Sequence, residues 1–124
     1  MRTVLGILVA GAVGAVLRYE VDGLITSQTA GGFPWGTFAV NVSGSFVLAL
    51  LYTVLVERFS VDPTVRFSLT VGLLGSYTTF STLTFDSVRL FQEGYYLQAA
   101  ANSIGTVLIG MIAAALGIVV GRTV

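Results

Sequence analysis

Residues 72–82 read GLLGSYTTFST, with two glycines and five serine or threonine hydroxyls inside an otherwise apolar stretch. Glycine weakens a helix and neighbouring hydroxyls compete with its hydrogen-bond ladder, so the pattern predicts a break in the backbone. A break at membrane depth must be buried in protein or line a watery cavity, and its freed carbonyls can then serve a small cation. The same string also suits a bent helix with back-bonded hydroxyls. Upstream, Thr37, Asn41 and Ser45 recur every fourth residue and share one helical face. The Asn41 carboxamide has more donors and acceptors than its own helix can satisfy, so it faces protein or water, as an interhelical hydrogen bond or as part of a polar pathway. Asn102 and Thr106 repeat the pattern, although Asn102 lies near a helix start and an interfacial position suits it equally. The sequence has neither histidine nor cysteine, which removes Ser-His and Cys-His pairs, thiolate chemistry and disulfides together.

The elements that must carry these groups are membrane helices. Hydrophobic residues make up 55% of the 124 and charged residues only 10%, with a mean hydropathy of +0.91, whereas soluble domains carry about 25% charged residues. Six basic and six acidic residues cancel, so nothing in the charge balance points to nucleic acid. The chain reads as one membrane domain, residues 1–124, with four spans at about 3–26, 35–56, 63–91 and 95–120. Arg2 ahead of an apolar run resembles a signal peptide, but no Ala-x-Ala site precedes polar sequence and the segment reads as retained. Pro34 suits the start of the second span, Asp62-Pro63 a capped start to the third, and Gly94 a turn before the fourth.

An even number of spans puts both termini on one side, with Arg2, Arg58, Arg66 and Arg122 near it and Arg18 and Arg89 near the other. The positive-inside bias is therefore small. It is either noise or the mark of a chain that inserts both ways and pairs antiparallel. Gly6, Ala10 and Gly14 in the first span, and Gly117 and Gly121 in the fourth, read as points of close helix packing and suggest self-association.

Three strings together are specific: GAVGAVLRY at 11–19, GTFAVNVSGSF at 36–46 and TTFST at 78–82. They closely resemble the Fluc (CrcB) family of small fluoride channels, and the resemblance covers nearly the whole chain. It implies an all-α integral membrane protein of four transmembrane helices per subunit, the third broken near its middle, assembled as an antiparallel, dual-topology homodimer. It further implies two fluoride pores per dimer, a location in the inner (plasma) membrane, and a structural sodium ion on backbone carbonyls that here are those of Gly75 and Thr78.

Fluoride is small and strongly hydrated, so a pore must replace its water with donors without trapping it. Asn41 offers an amide, and Ser81, Thr82 and Thr106 offer hydroxyls for a polar track. Phe80 matches the first of the family's two pore phenylalanines, whose ring edges carry partial positive charge. The second position is Leu83 here, a departure that leaves no aromatic quadrupole, and Phe85 would point elsewhere on the helix. Arg18 suits an electropositive vestibule or an ordinary interfacial anchor, and the role of Asp86 is open. The alternative function is a coupled exporter of the small multidrug resistance type. Such a pump is expected to carry a carboxylate deep in its first span, where Glu20 and Asp22 fall near the end instead. A non-conducting scaffold fits the separate polar stripes poorly, and an enzyme fits least.

Overall fold

A computed structural model describes residues 1–124 and is all helical, without strands. We number five helices. α1 is Arg2–Gln28, α2 is Trp35–Arg58, α3 covers 63–77, α4 is Phe80–Gln92 and α5 is Tyr96–Thr123. α1, α2 and α5 are each long and apolar enough to cross a membrane.

The boundaries follow local chemistry. α2 starts directly after Pro34, and α3 starts with Pro63 in its first turn, where the missing amide hydrogen costs nothing. The Asp62 carboxylate caps α3 by accepting the Thr64 amide at 2.7 Å, and these hydrogen bonds hold its pKa below the ordinary carboxylate value. Gly94, at φ +85°, turns the chain between α4 and α5. Three short segments are wound more widely, as π turns: Val54–Arg58 closing α2, Ser68–Leu74 within α3 and Ala101–Gly105 within α5.

Two helix pairs form the frame, α1 against α3 and α2 against α5. The small residues singled out in the sequence sit at these crossings. A Cβ at Gly14 would strike the Leu73 carbonyl, and one at Gly117 would strike the Phe46 carbonyl. Gly121 lies equally close to α2, where a Cβ would stand 2.9 Å from Thr53 Cβ. These residues therefore serve close packing within one copy of the chain.

One end of the bundle gathers the start of α1, the start of α3 and the ends of α2 and α5. Thr3 and Thr64 share a hydroxyl contact at 3.1 Å, Arg122 pairs with Glu57 at 3.0 Å, and Arg58 donates to the carbonyls of Arg122 and Val124. At the opposite end, the close of α1, the start of α2 and the second half of α4 surround a polar recess. Only 18 of 124 residues are buried, so the core within one copy is thin. Leu83, Leu90, Ala99 and Asn102 are all buried where α4 packs against α5.

Candidate functional site

The break predicted at 72–82 is present and short. Thr78 (ψ 159°) and Thr79 (φ −149°, ψ 115°) are extended between α3 and α4. Asn41 holds this geometry from α2. The Thr79 amide donates to Asn41 Oδ1 at 2.7 Å, and Asn41 Nδ2 donates to the Thr79 carbonyl at 2.9 Å. The carboxamide thus pairs with both backbone groups of one residue, which a helix–helix contact alone would not require. α2 can come this near because Gly44 follows Asn41 by one turn; a Cβ there would collide with the Thr78 side chain.

Two consequences follow for the backbone. In a continuous helix the Thr79 amide would serve the Gly75 carbonyl and the Thr82 amide the Thr78 carbonyl. Here the first donates to Asn41, and the second donates to the Thr79 hydroxyl at 3.2 Å as an N-cap of α4. The carbonyls of Gly75 and Thr78 lose their regular helical donors together.

Beside the break lies a cavity of about 350 Å³ between α2, α4 and α5. Asn41, Ser45, Thr78, Thr79, Phe80, Leu83 and Thr106 line it, with Val107, Gly110, Met111 and Ala114 on the α5 side. Asn41, Phe80, Leu83 and Thr106, scattered over 66 positions of sequence, therefore meet in one place. No lining residue is charged. The Thr106 hydroxyl is buried there without a hydrogen-bond partner, while the Ser45 hydroxyl bonds back to the Asn41 carbonyl at 2.7 Å. Phe80 is 74% exposed and forms an open wall, whereas Leu83 is 5% exposed and packed. Phe85 lines none of the cavities described here, so it does not replace an aromatic group at position 83.

Ser81 and Thr82 lie on the far side of Thr79. The Thr79 hydroxyl reaches Thr82 Oγ1 at 3.0 Å and Ser81 Oγ at 3.3 Å. Thr82 faces the polar recess of about 360 Å³ at the other end, with Thr37, Asp86, Asp22 and Arg89. There Thr37 donates to Asp86 Oδ2 at 3.4 Å and Arg89 stands 3.6 Å from Asp86 Oδ1. Thr79 is thus the hinge between two polar spaces, a role that nothing in the repeated threonines of TTFST assigns to one of them. Arg18, half-buried on α1, has no side-chain hydrogen bond or ion pair and lines neither space. Asn102 is fully buried, not interfacial, because α4 packs over it.

The sequence model described as "CrcB-like protein, Camphor Resistance (CrcB)" matches residues 5–118. The chain belongs to the CrcB-like family. Among its relatives, proteins named fluoride-specific ion channel FluC are similar over nearly their whole length. The one from Magnetococcus marinus is 38% identical over 118 residues, covering 95% of this chain and 96% of the relative. That from Geotalea uraniireducens is 39% identical over 122 residues, 98% of both chains. The one from Phocaeicola vulgatus is 40% identical over 118 residues, covering 95% of this chain and 97% of the relative. Like the apolar helices, this membership makes the protein a multi-pass membrane protein.

Proposed function

We propose that this protein is a passive, fluoride-selective channel that lets the ion leave the cytoplasm across the plasma membrane. The observation that carries the reading is the uncharged cavity at the helix break, where an amide, hydroxyls and an aromatic wall converge. Its relatives named as fluoride channels support it.

An anion entering this space loses water and needs donors. Asn41 spends one Nδ2 hydrogen on Thr79 and keeps the other, and the unpartnered Thr106 hydroxyl supplies a second donor. Phe80 adds a ring edge of partial positive charge. Leu83 fills volume and limits the width of the passage. Ser81 and Thr82 continue the hydroxyl track through Thr79 toward the recess at Asp86 and Arg89. Arg18 acts at the vestibule through its field on incoming anions, without touching the track. A coupled exporter is disfavoured because no carboxylate lines the central cavity.

The functional unit in this reading is an antiparallel homodimer of four-span subunits, with α3 and α4 together forming the broken third span. A thin core within one copy and the open Phe80 wall both support a second copy. The carbonyls of Gly75 and Thr78 fit a sodium ion: they are hard oxygen ligands deprived of helical donors. One copy offers two of them, too few for a cation, and a two-fold axis would double the number. Bound there, sodium would tie the two subunits together through ion–dipole contacts with these carbonyls.

The experiment is ion efflux from liposomes holding the purified protein, read with a fluoride electrode, with valinomycin and potassium relieving the voltage. Fluoride leaves and chloride does not, with no imposed proton gradient. Equal loss of both ions, or retention of fluoride, contradicts the reading.

A further inference from the structure

α4 begins at a break, so no upstream helix fixes its position. Its N-cap, Thr79, is anchored at the front by Asn41 and in turn accepts the Thr82 amide of its first turn. A second anchor comes from the side. Asn102, on α5, is 0% exposed, and its Nδ2 donates to the Leu83 carbonyl at 3.3 Å and to Ser87 Oγ at 3.0 Å. Ser87 Oγ itself donates to the Leu83 carbonyl at 2.8 Å, which closes a triangle of hydrogen bonds around one turn of α4. Both amide hydrogens are spent on the same turn, the one that carries Leu83.

The placement bears on the pathway. Leu83 lines the central cavity and also a neighbouring apolar recess of about 480 Å³ between α4 and α5. Leu83 is 5% exposed and stands as the partition between these two spaces, so a small displacement of its turn of α4 changes the width of both. Asn102 sits in the π turn Ala101–Gly105, a local widening that shifts the register of α5 just before Thr106. Such turns are frequent at functional sites. The burial of an amide whose Oδ1 has no partner costs stability, and a packing role alone would be served better by leucine.

We propose that Asn102 is a positioning residue of the ion pathway: it fixes the turn of α4 that presents Leu83, and so sets the width of the passage beside Thr106. The proposal rests on the channel reading for its functional consequence, but the positioning itself has an independent readout.

The native chain has no cysteine, so Leu83→Cys introduces a single thiol. Its labelling by a small water-soluble maleimide in liposomes is compared with and without Asn102→Leu, with Gln92→Cys, exposed at the end of α4, as the control. Loss of the two hydrogen bonds is expected to raise labelling at position 83 by about tenfold while changing position 92 by less than about twofold. Ser87→Ala, which removes both Ser87 bonds but keeps the one from Asn102 to the Leu83 carbonyl, is expected to give a smaller rise and serves if Asn102→Leu does not fold. In the cysteine-free background, Asn102→Leu is expected to lower the ratio of fluoride to chloride efflux. Unchanged labelling at position 83 in both variants overturns the positioning role. Raised labelling with an unchanged efflux ratio overturns its bearing on the pathway. Absence of fluoride efflux from the wild-type chain would instead strike the channel reading and leave the labelling result standing.

Discussion

Asn41 and Thr79 bind each other in both directions, amide hydrogen to Oδ1 at 2.7 Å and Nδ2 to carbonyl at 2.9 Å. This pairing turns a sequence that is merely weak as a helix into a defined gap. It also diverts the Thr79 amide from the Gly75 carbonyl. Asn41 is therefore both the clamp of the break and a wall of the cavity, where the sequence left those two readings as alternatives.

The first prediction concerns that clamp. Asn41→Asp keeps the acceptor for the Thr79 amide but sets a carboxylate oxygen against the Thr79 carbonyl and places negative charge in the track. Fluoride efflux should fall by about fivefold or more, since losing one buried hydrogen bond and leaving its partner unpaired costs about 1–3 kcal/mol. Efflux assays on purified protein with an unchanged gel-filtration profile check this; wild-type flux would remove Asn41 from the pathway.

Leu83 gives the second. Leu83 is 5% exposed but borders two cavities, so a ring must swing into one of them, and Leu83→Phe should fold with a thermal midpoint at or modestly below that of the wild type. Because it restores an aromatic edge facing the passage, fluoride efflux should equal or exceed the wild-type rate. A loss of flux in a well-folded protein would mean that leucine is required for width.

Helix contacts supply the third. Gly117→Ala drives a methyl into the Phe46 carbonyl, which is backbone and cannot turn away, whereas a Cβ at Gly23 meets nothing within 4 Å. Gly117→Ala should destabilise the protein by about 1–3 kcal/mol, seen as a lowered midpoint in thermal denaturation in detergent. Gly23→Ala should be neutral or mildly stabilising through helix propensity.

The fourth is a pH dependence at the cap of α3. The folded chain holds the Asp62 carboxyl below its ordinary value, first through its hydrogen bonds to Thr64. A depressed folded pKa contributes stability that is present above the unfolded pKa of about 3.9 and is lost as pH falls through the folded value. Thermal stability should therefore drop on acidification below about pH 4, and Asp62→Asn should show a smaller drop. Parallel curves for the two proteins would contradict the assignment.

Helix boundaries were largely legible because they depend on local chemistry. Pro34, Asp62-Pro63 and Gly94 act on their own neighbours, and each stands at an element end. The break was legible for the same reason, from glycines and hydroxyls crowded into 72–82. Its partner was not. The clamp spans 38 positions, and nothing local to Asn41 says whether its amide meets backbone or an ion. Asn102 was obscured by a different cause: its nearness to the helix start says nothing of α4 lying across it. The π turns also escaped, since the sequence signals a break at 72–82 but no widening over Ser68–Leu74 or Ala101–Gly105, which depends on tertiary packing. Among the hydroxyls, periodicity grouped Thr106 with Asn102 but could not reveal that Thr106 alone ends up buried and unpartnered at the cavity.

The most direct test of the central claim is the reversal potential of the current carried by the purified protein in a planar bilayer, with fluoride graded across the membrane and chloride graded in the opposite sense. A fluoride-selective channel gives a current that reverses at the fluoride Nernst potential and is indifferent to the chloride gradient. Reversal at the chloride potential, or a reversal that follows an imposed proton gradient, would contradict the account.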